Sequence, residues 1–287
     1  MKRVFGNQES LKYLEIAVKK LVAALFTVAI SAVGASAADL PVKAPAMVAP
    51  VYSWTGFYLG VNAGGVFSES DPSTTTVFSP IGYFAQSSTF AIGGVGDQQT
   101  HRSDFTGGGQ FGYNWQVNNA VVGLEADFNY FGVRGSVTGA AVYPCCAPTA
   151  FTINSSMSSD WLATFRGRAG FLATPALLLY ATGGLAVADL KANWLFTDTF
   201  ATARESASIS TTRVGWTLGA GGEYALMNGW SVKAEYLYVD LGRATTTSTN
   251  LTAFTPPIPF PTNVFSHAID LRSNIARVGL NYKFGSL

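Results

Sequence analysis

Arg277-Val278-Gly279-Leu280-Asn281-Tyr282-Lys283-Phe284, near the carboxyl end of the 287-residue chain, alternates polar or small residues with apolar ones. Successive side chains of a strand point to opposite sides, so Arg277, Gly279, Asn281 and Lys283 share one face and Val278, Leu280, Tyr282 and Phe284 the other. One face suits water and the other an apolar medium. A strand of this form can close a soluble antiparallel sheet or a barrel set in lipid.

Composition favours lipid. Only 12% of residues are charged, the net charge is +1, aromatics reach 13% and there are 30 glycines; an average soluble domain carries about 25% charged residues. No run reaches the roughly 20 apolar residues of a membrane-crossing helix. In a bilayer the chain would therefore have to be a closed barrel, the other structure that satisfies every backbone group. No nucleic-acid partner is expected.

The amino end reads as an export signal. Lys19 and Lys20 precede an apolar run over residues 21–33, and Ala35-Ser36-Ala37 follows as a cleavage site. The expected organisation is a signal peptide over residues 1–37, a proline-punctuated periplasmic linker over 38–53 (Pro41, Pro45, Pro50) and a barrel over 54–287. Residues 1–17 are polar and carry Glu9 and Glu15, which places the expected start of the signal at Val18, read from a GTG codon.

Period-2 alternation predicts eight strands: residues 56–67, 105–115, 121–131, 160–172, 177–188, 214–224, 230–239 and the segment ending at Phe284. The third is the cleanest, with Val122, Leu124, Ala126, Phe128 and Tyr130 opposing Gly123, Glu125, Asp127 and Asn129. In the fifth, Tyr180 and Thr182 are placed inside; in the seventh, Leu237 and Val239 fall on the polar face, which suggests a bulge near them. Links at 117–119, 173–176 and 227–229 are tight, whereas 68–104, 132–159, 189–213 and 243–267 read as long polar loops. Short turns at one mouth and long loops at the other are the asymmetry of outer-membrane barrels. The fold class is therefore all-β, an eight-stranded antiparallel up-and-down transmembrane β-barrel.

No charged residue falls on the apolar face, where a Lys or Arg at the bilayer midplane would cost about 2–4 kcal/mol. Phe57, Tyr113, Trp115, Phe171, Tyr224, Trp230, Tyr282 and Phe284 gather near the short turns. Phe128, Tyr130, Trp161, Trp216, Tyr236 and Tyr238 gather toward the long loops. These are two belts for two water interfaces.

Trp54-Thr55-Gly56-Phe57-Tyr58-Leu59-Gly60, Gly109-Gln110-Phe111-Gly112-Tyr113-Asn114-Trp115-Gln116, Tyr180-Ala181-Thr182-Gly183-Gly184, Trp230-Ser231-Val232-Lys233-Ala234-Glu235-Tyr236 and the closing strand carry a resemblance. They resemble the outer-membrane β-barrel (porin-family) proteins of alphaproteobacteria, the group containing the major surface antigens of brucellae and rhizobia. The resemblance implies an outer-membrane location, an eight-stranded barrel and a structural or surface role. Outer-membrane lipid, lipopolysaccharide and the barrel-assembly machinery are the expected partners.

An eight-stranded barrel is just wide enough to be filled by side chains. Its inner face is expected to carry Glu125, Asp127, Glu223 and Glu235 against Arg166, Arg168, Lys233, Arg277 and Lys283, a paired network that plugs the barrel. The alternative is a narrow charged eyelet passing small solutes or ions, with inward glycines such as Gly60, Gly112 and Gly221 leaving room. Val278, Leu280, Tyr282 and Phe284 form the expected assembly signal, although Gly285-Ser286-Leu287 follow where such signals usually end on the aromatic.

No catalytic constellation is expected. Gly107-x-Gly109-x-x-Gly112 fits a dinucleotide fingerprint but lies inside a strand. His101 and His267 sit in or beside long loops, where a pair could hold haem or a metal, as some relatives are described to bind haemin; a chance pair is the expectation, with no cofactor or metal. A loop-borne adhesin remains a further reading. Cys145 and Cys146 are adjacent, and a ring between neighbours is strained, so mutual pairing is not the default.

Overall fold

The structure is a computed structural model that describes residues 52–285. The expected signal peptide, the start at Val18 and nearly all of the linker lie outside the described residues. The elements are β1 (Gly56–Ser70), β2 (Ser73–Thr76), α1 (Gln86–Gly96), β3 (Thr100–Val117), β4 (Ala120–Val142), β5 (Ala150–Thr174), β6 (Leu177–Asp198), β7 (Arg204–Ala225), β8 (Trp230–Ser248), β9 (Thr252–Ala253), β10 (Ile258–Pro259) and β11 (Phe265–Lys283).

The eight long strands pair antiparallel with their chain neighbours, and β11 pairs back onto β1 from Tyr58↔Lys283 to Ser70↔Leu271. That last ladder closes the ring, so the eight expected strands form an up-and-down barrel. Tight turns follow from the residues that make them. Asn118 (φ 54°), Asn228 (φ 60°) and Gly229 (φ 82°) take left-handed conformations, which Asn and Gly tolerate best.

The strands run much further than their expected ends, which corrects the loop assignment. The segment 132–159 is mostly β4 and β5 around a turn at 143–149, and 189–213 is mostly β6 and β7 around a turn at 199–203. β6 shows why. Its even-numbered residues face inward throughout: Tyr180 and Thr182 low in the barrel, then Ala186, Ala188, Leu190, Ala192, Trp194 and Phe196 above. Its outward residues change from Leu179, Ala181 and Leu185 to Asp189, Lys191 and Asn193. The side facing out meets lipid below and water above, so the polar face of the strand changes sides while the backbone runs on.

On β5 and β8 a bulge adds a second change. Inward positions on β5 are even-numbered below residue 160 in height and odd-numbered above it, across a register break between Ser158 and Leu162. There the Asp189 Oδ1 accepts the backbone N–H groups of Asp160 (2.7 Å) and Trp161 (3.0 Å) that the ladder leaves free. On β8, Leu237 and Val239 stay inward in unbroken register, and the expected bulge lies instead beyond them. Leu241 and Gly242 oppose the single residue Leu271, with Gly242 at φ 67°.

The Gly242 bulge turns β8 away from β7. Their ladder stops at Trp216↔Asp240, while β7 stays paired to β6 as far as Arg204 and β8 stays paired to β11 as far as Ser248. A seam is left open in the upper wall, crossed by side chains. Arg213 donates to the carbonyls of Leu241 (3.4 Å) and Arg243 (2.7 Å), and Asn250 bonds both the N–H and the carbonyl of Ser206 (3.3 and 2.7 Å).

The remaining two long connections are only partly loop. β2 adds beside the upper end of β11, and α1 caps the outer mouth with Ile92 buried. Gly96 lets the helix end lie against the Thr74 carbonyl, where a Cβ would collide. The interior is thus filled in layers from the short-turn end outward: Trp54 with Val121, Leu172 and Leu178; then charged groups; then an apolar core including Val66, Phe131, Leu190, Trp194, Leu237 and Ile275; then an aromatic cap around Phe84, Phe196 and Phe265.

Candidate functional site

The charged layer is built by period-2 spacing. Glu125 and Asp127 on β4, Arg166 and Arg168 on β5, and Lys233 and Glu235 on β8 are each two apart, so both members of every pair point inward. Glu223 joins them from β7 and Arg277 from β11, and all eight are buried. Register sets opposite charges side by side on neighbouring strands: Glu125↔Arg166, Glu223↔Lys233 and Glu235↔Arg277.

Arg166 is the hub. Its Nη2 reaches Glu125 and lies 2.8 Å from Asp127 Oδ2, its Nη1 lies 3.0 Å from Glu235 Oε1, and its Nε donates to Thr164 Oγ1 at 2.9 Å. Arg277 holds Glu235 Oε2 at 2.6 Å and Asp127 Oδ2 at 3.2 Å. Lys233 crosses the lumen to Glu125 (2.8 and 3.0 Å) instead of pairing with its ladder neighbour Glu223. Glu223 is taken by Arg168 at 2.9 Å, with Ser231 and Asn281 donating to its other oxygen at 2.6 and 2.8 Å.

Uncharged residues complete the shell. Tyr58 donates to Glu125 at 2.7 Å and Tyr180 to Glu235 at 3.0 Å, and the Arg168 guanidinium lies between their rings, 4.8 and 5.2 Å from the centroids. Gln110, Asn281 and Asn62 continue the bonding along the inner wall over the adjacent strands β3, β1 and β11. The inward glycines leave no vacancy: a Cβ on Gly112 would strike the Tyr58 hydroxyl, one on Gly221 that of Tyr180, and one on Gly60 the Asn281 side chain. The sequence places Tyr180 inside but gives neither tyrosine nor the amides a part in the network, although their inward parity marks them.

Lys283 is a correction. It points inward but stands apart from the acids, its Nζ 3.3 Å from the Thr55 carbonyl and 5.1 Å from the Tyr52 ring. It lies at the end of β11, four residues beyond Gly279, which is level with Lys233 and Glu223, and it makes no ion pair with an acid among the described residues; that leaves four acids facing four bases. Val278, Leu280, Tyr282 and Phe284 all face outward, and the Phe284 N–H donates to the Phe57 carbonyl at 2.9 Å, tying the last strand to the first.

Both aromatic belts face outward as expected, with contacts such as Phe57–Tyr113 (4.5 Å), Trp230–Tyr282 (5.1 Å), Phe128–Trp161 (5.8 Å) and Trp216–Tyr238 (5.4 Å). The histidines are not a pair. His101 is exposed on β3 beside Glu69, whereas His267 is buried on β11, bonded to Thr74 (3.0 Å) and Glu205 (3.2 Å) and stacked on Trp194. Cys145 and Cys146 are joined to each other, contrary to the default, within a turn in which the Cys146 N–H donates to the Tyr143 carbonyl at 3.2 Å.

Known proteins resemble this chain in sequence. The family model for the outer membrane protein beta-barrel domain matches residues 25–284. The 31 kDa outer-membrane immunogenic protein of Brucella melitensis is 36% identical over 268 residues, covering 89% of this chain and 96% of that protein. The 22 kDa outer membrane protein of Rhizobium leguminosarum is 29% identical over 197 residues, 68% of each chain. The 25 kDa outer-membrane immunogenic protein of Brucella abortus is 28% identical over 202 residues, covering 70% of this chain and 72% of that one.

Proposed function

The chain belongs to the outer-membrane β-barrel family, and from that membership we propose that it is a non-conducting, non-enzymatic structural protein of the outer membrane that displays a capped surface to the outside. One observation carries the reading: the lumen is occupied at successive heights by the Trp54 layer, the charge network, the apolar core and the aromatic cap. A solute crossing the barrel would have to break buried ion pairs and then displace a packed core. Removing one partner of a buried pair costs about 3–5 kcal/mol, so thermal opening of such a path is rare.

Planar-bilayer recording on the refolded protein tests it. The expected result is a silent membrane; steady, reproducible open-channel steps would overturn the plugged reading in favour of the small-solute porin. Export by cleavage after Ala37, insertion by the barrel-assembly machinery and contact with lipopolysaccharide belong to the same proposal. Sequencing the amino end of protein recovered from outer membranes should read Ala38-Asp39-Leu40.

A further inference from the structure

At the outer mouth, away from both aromatic belts, four rings line an open cavity of about 160 Å³. Tyr83 and Phe84 come from the segment before α1, Tyr143 from the end of β4, and Phe200 from the β6–β7 turn; the Cys145–Cys146 disulfide completes the wall. The rings meet at angles rather than stacking flat. Tyr83 lies 5.0 Å from Phe84 at 84° and 6.1 Å from Phe200 at 64°, and Phe84 lies 6.4 Å from Tyr143 at 43°. All four line the same space.

Behind two of those rings sits a carboxylate. Asp198 Oδ2 accepts the hydroxyl protons of Tyr83 (2.6 Å) and Tyr143 (3.0 Å), and its Oδ1 accepts the N–H groups of Ala203 (2.7 Å) and Ala201 (3.4 Å). Among the described residues it has no Lys, Arg or His within 4.0 Å. Burial, together with Asp198, pushes both phenols well above their ordinary range, so they stay neutral donors. A carboxylate with no cationic partner among the described residues is thus held one hydroxyl away from a cavity lined by rings, whose π-faces are electron-rich.

We propose that this cavity binds a quaternary ammonium group of the choline type. Three features select it. The volume suits one compact apolar group, since a cavity of about 150 Å³ takes up benzene. Aromatic faces attract a cation more strongly once it is desolvated. Beyond the phenol and Ser88 hydroxyls the lining side chains offer a cation only rings, a methyl group and a disulfide, so a primary ammonium or guanidinium would leave N–H groups poorly paired there. A quaternary nitrogen has no N–H to satisfy.

The test is calorimetric titration of the refolded protein in a maltoside detergent, since amine-oxide and phosphocholine detergents carry a competing head group. The probes are choline chloride and its neutral isostere 3,3-dimethylbutan-1-ol. Choline should bind at least about tenfold more tightly than the isostere. Asp198→Asn, which keeps an acceptor for the Ala203 N–H, should remove most of that preference. Phe200→Ala, at the exposed rim, should weaken choline without lowering the temperature at which the barrel unfolds. Equal binding of the two probes, unchanged choline affinity in Asp198→Asn, or no saturable choline binding by folded protein would overturn the proposal. Flotation with phosphatidylcholine but not phosphatidylglycerol vesicles would identify the group as a lipid head in a facing membrane; choline binding without flotation would identify it as a free solute.

Discussion

Arg166 holds three carboxylates at 3.0 Å or less, a tighter set than the three that Arg277 reaches. Arg166→Ala would leave Glu125, Asp127 and Glu235 sharing only Lys233 and Arg277, with Arg168 at the margin. Breaking a buried pair costs about 3–5 kcal/mol because the orphaned charge stays in a low-dielectric interior. The variant should convert from the folded to the unfolded band on unboiled gels at a clearly lower temperature. Lys283→Ala should leave that temperature nearly unchanged, because its ammonium meets only the Thr55 carbonyl and the Tyr52 ring. The inward direction of these groups was legible in the sequence, since residues two apart share a face. Which group bonds which was not. Lys233 faces Glu223 in register yet reaches across the lumen to Glu125, a contact set by barrel diameter and by the Arg168–Glu223 pair rather than by any spacing along the chain.

Strand ends, unlike strand centres, escaped the sequence reading, and β6 and β8 show two separate causes. On β6 the inward face turns from polar to apolar at about Ala186 with no change of parity, so a search for apolar-outward alternation ends there. On β8 the parity itself changes at Gly242, which resets the pattern. The bulge also opens the seam beside β7, where residues 206–215 have a strand partner on one side alone among the described residues. Every second amide of that stretch points at the seam, away from β6. In hydrogen exchange those amides should exchange far faster than the amides of residues 217–223 on the same strand, and Arg213→Ala should hasten them further; uniform protection along β7 would show the seam to be closed. The closing strand bears a different consequence. Phe284 ends the outward row Val278, Leu280, Tyr282 and its N–H bonds back to β1, so Phe284→Ala should slow barrel insertion, whereas deleting Gly285-Ser286-Leu287 should be tolerated. Insertion assays with isolated outer-membrane assembly machinery distinguish the two variants, and normal insertion of Phe284→Ala would deny it the role of recognised end.

For the molecule as a whole, the barrel is two solvents' worth of β-sheet on one continuous backbone. A membrane strand needs about 9–11 residues, yet β5 has 25, so more than half of its length stands outside the lipid. Below, the wall is apolar outside and charged inside; above, it is polar outside and apolar inside, like a water-soluble barrel. Composition alone averages these halves, which is why 48% hydrophobic residues coexist with runs such as Ser206, Ser208, Ser210 and Thr212 on one outward face. The changeover can be located on a single strand. Ala220 faces outward on β7 midway between the belt residues Trp216 and Tyr224, and Ser208 faces outward on the same strand, beyond the belt. Arginine at the first position would sit near the bilayer midplane and should cost about 2–4 kcal/mol, falling toward zero near and beyond the interface. Ala220→Arg should therefore lower the folded fraction in lipid-vesicle refolding titrations while Ser208→Arg leaves it unchanged. In maltoside micelles, which deform around a charge, the difference between the two should shrink. If both variants refolded equally well in vesicles, the lipid would have to lie elsewhere on the barrel, and the polarity switch along β6 would need another cause.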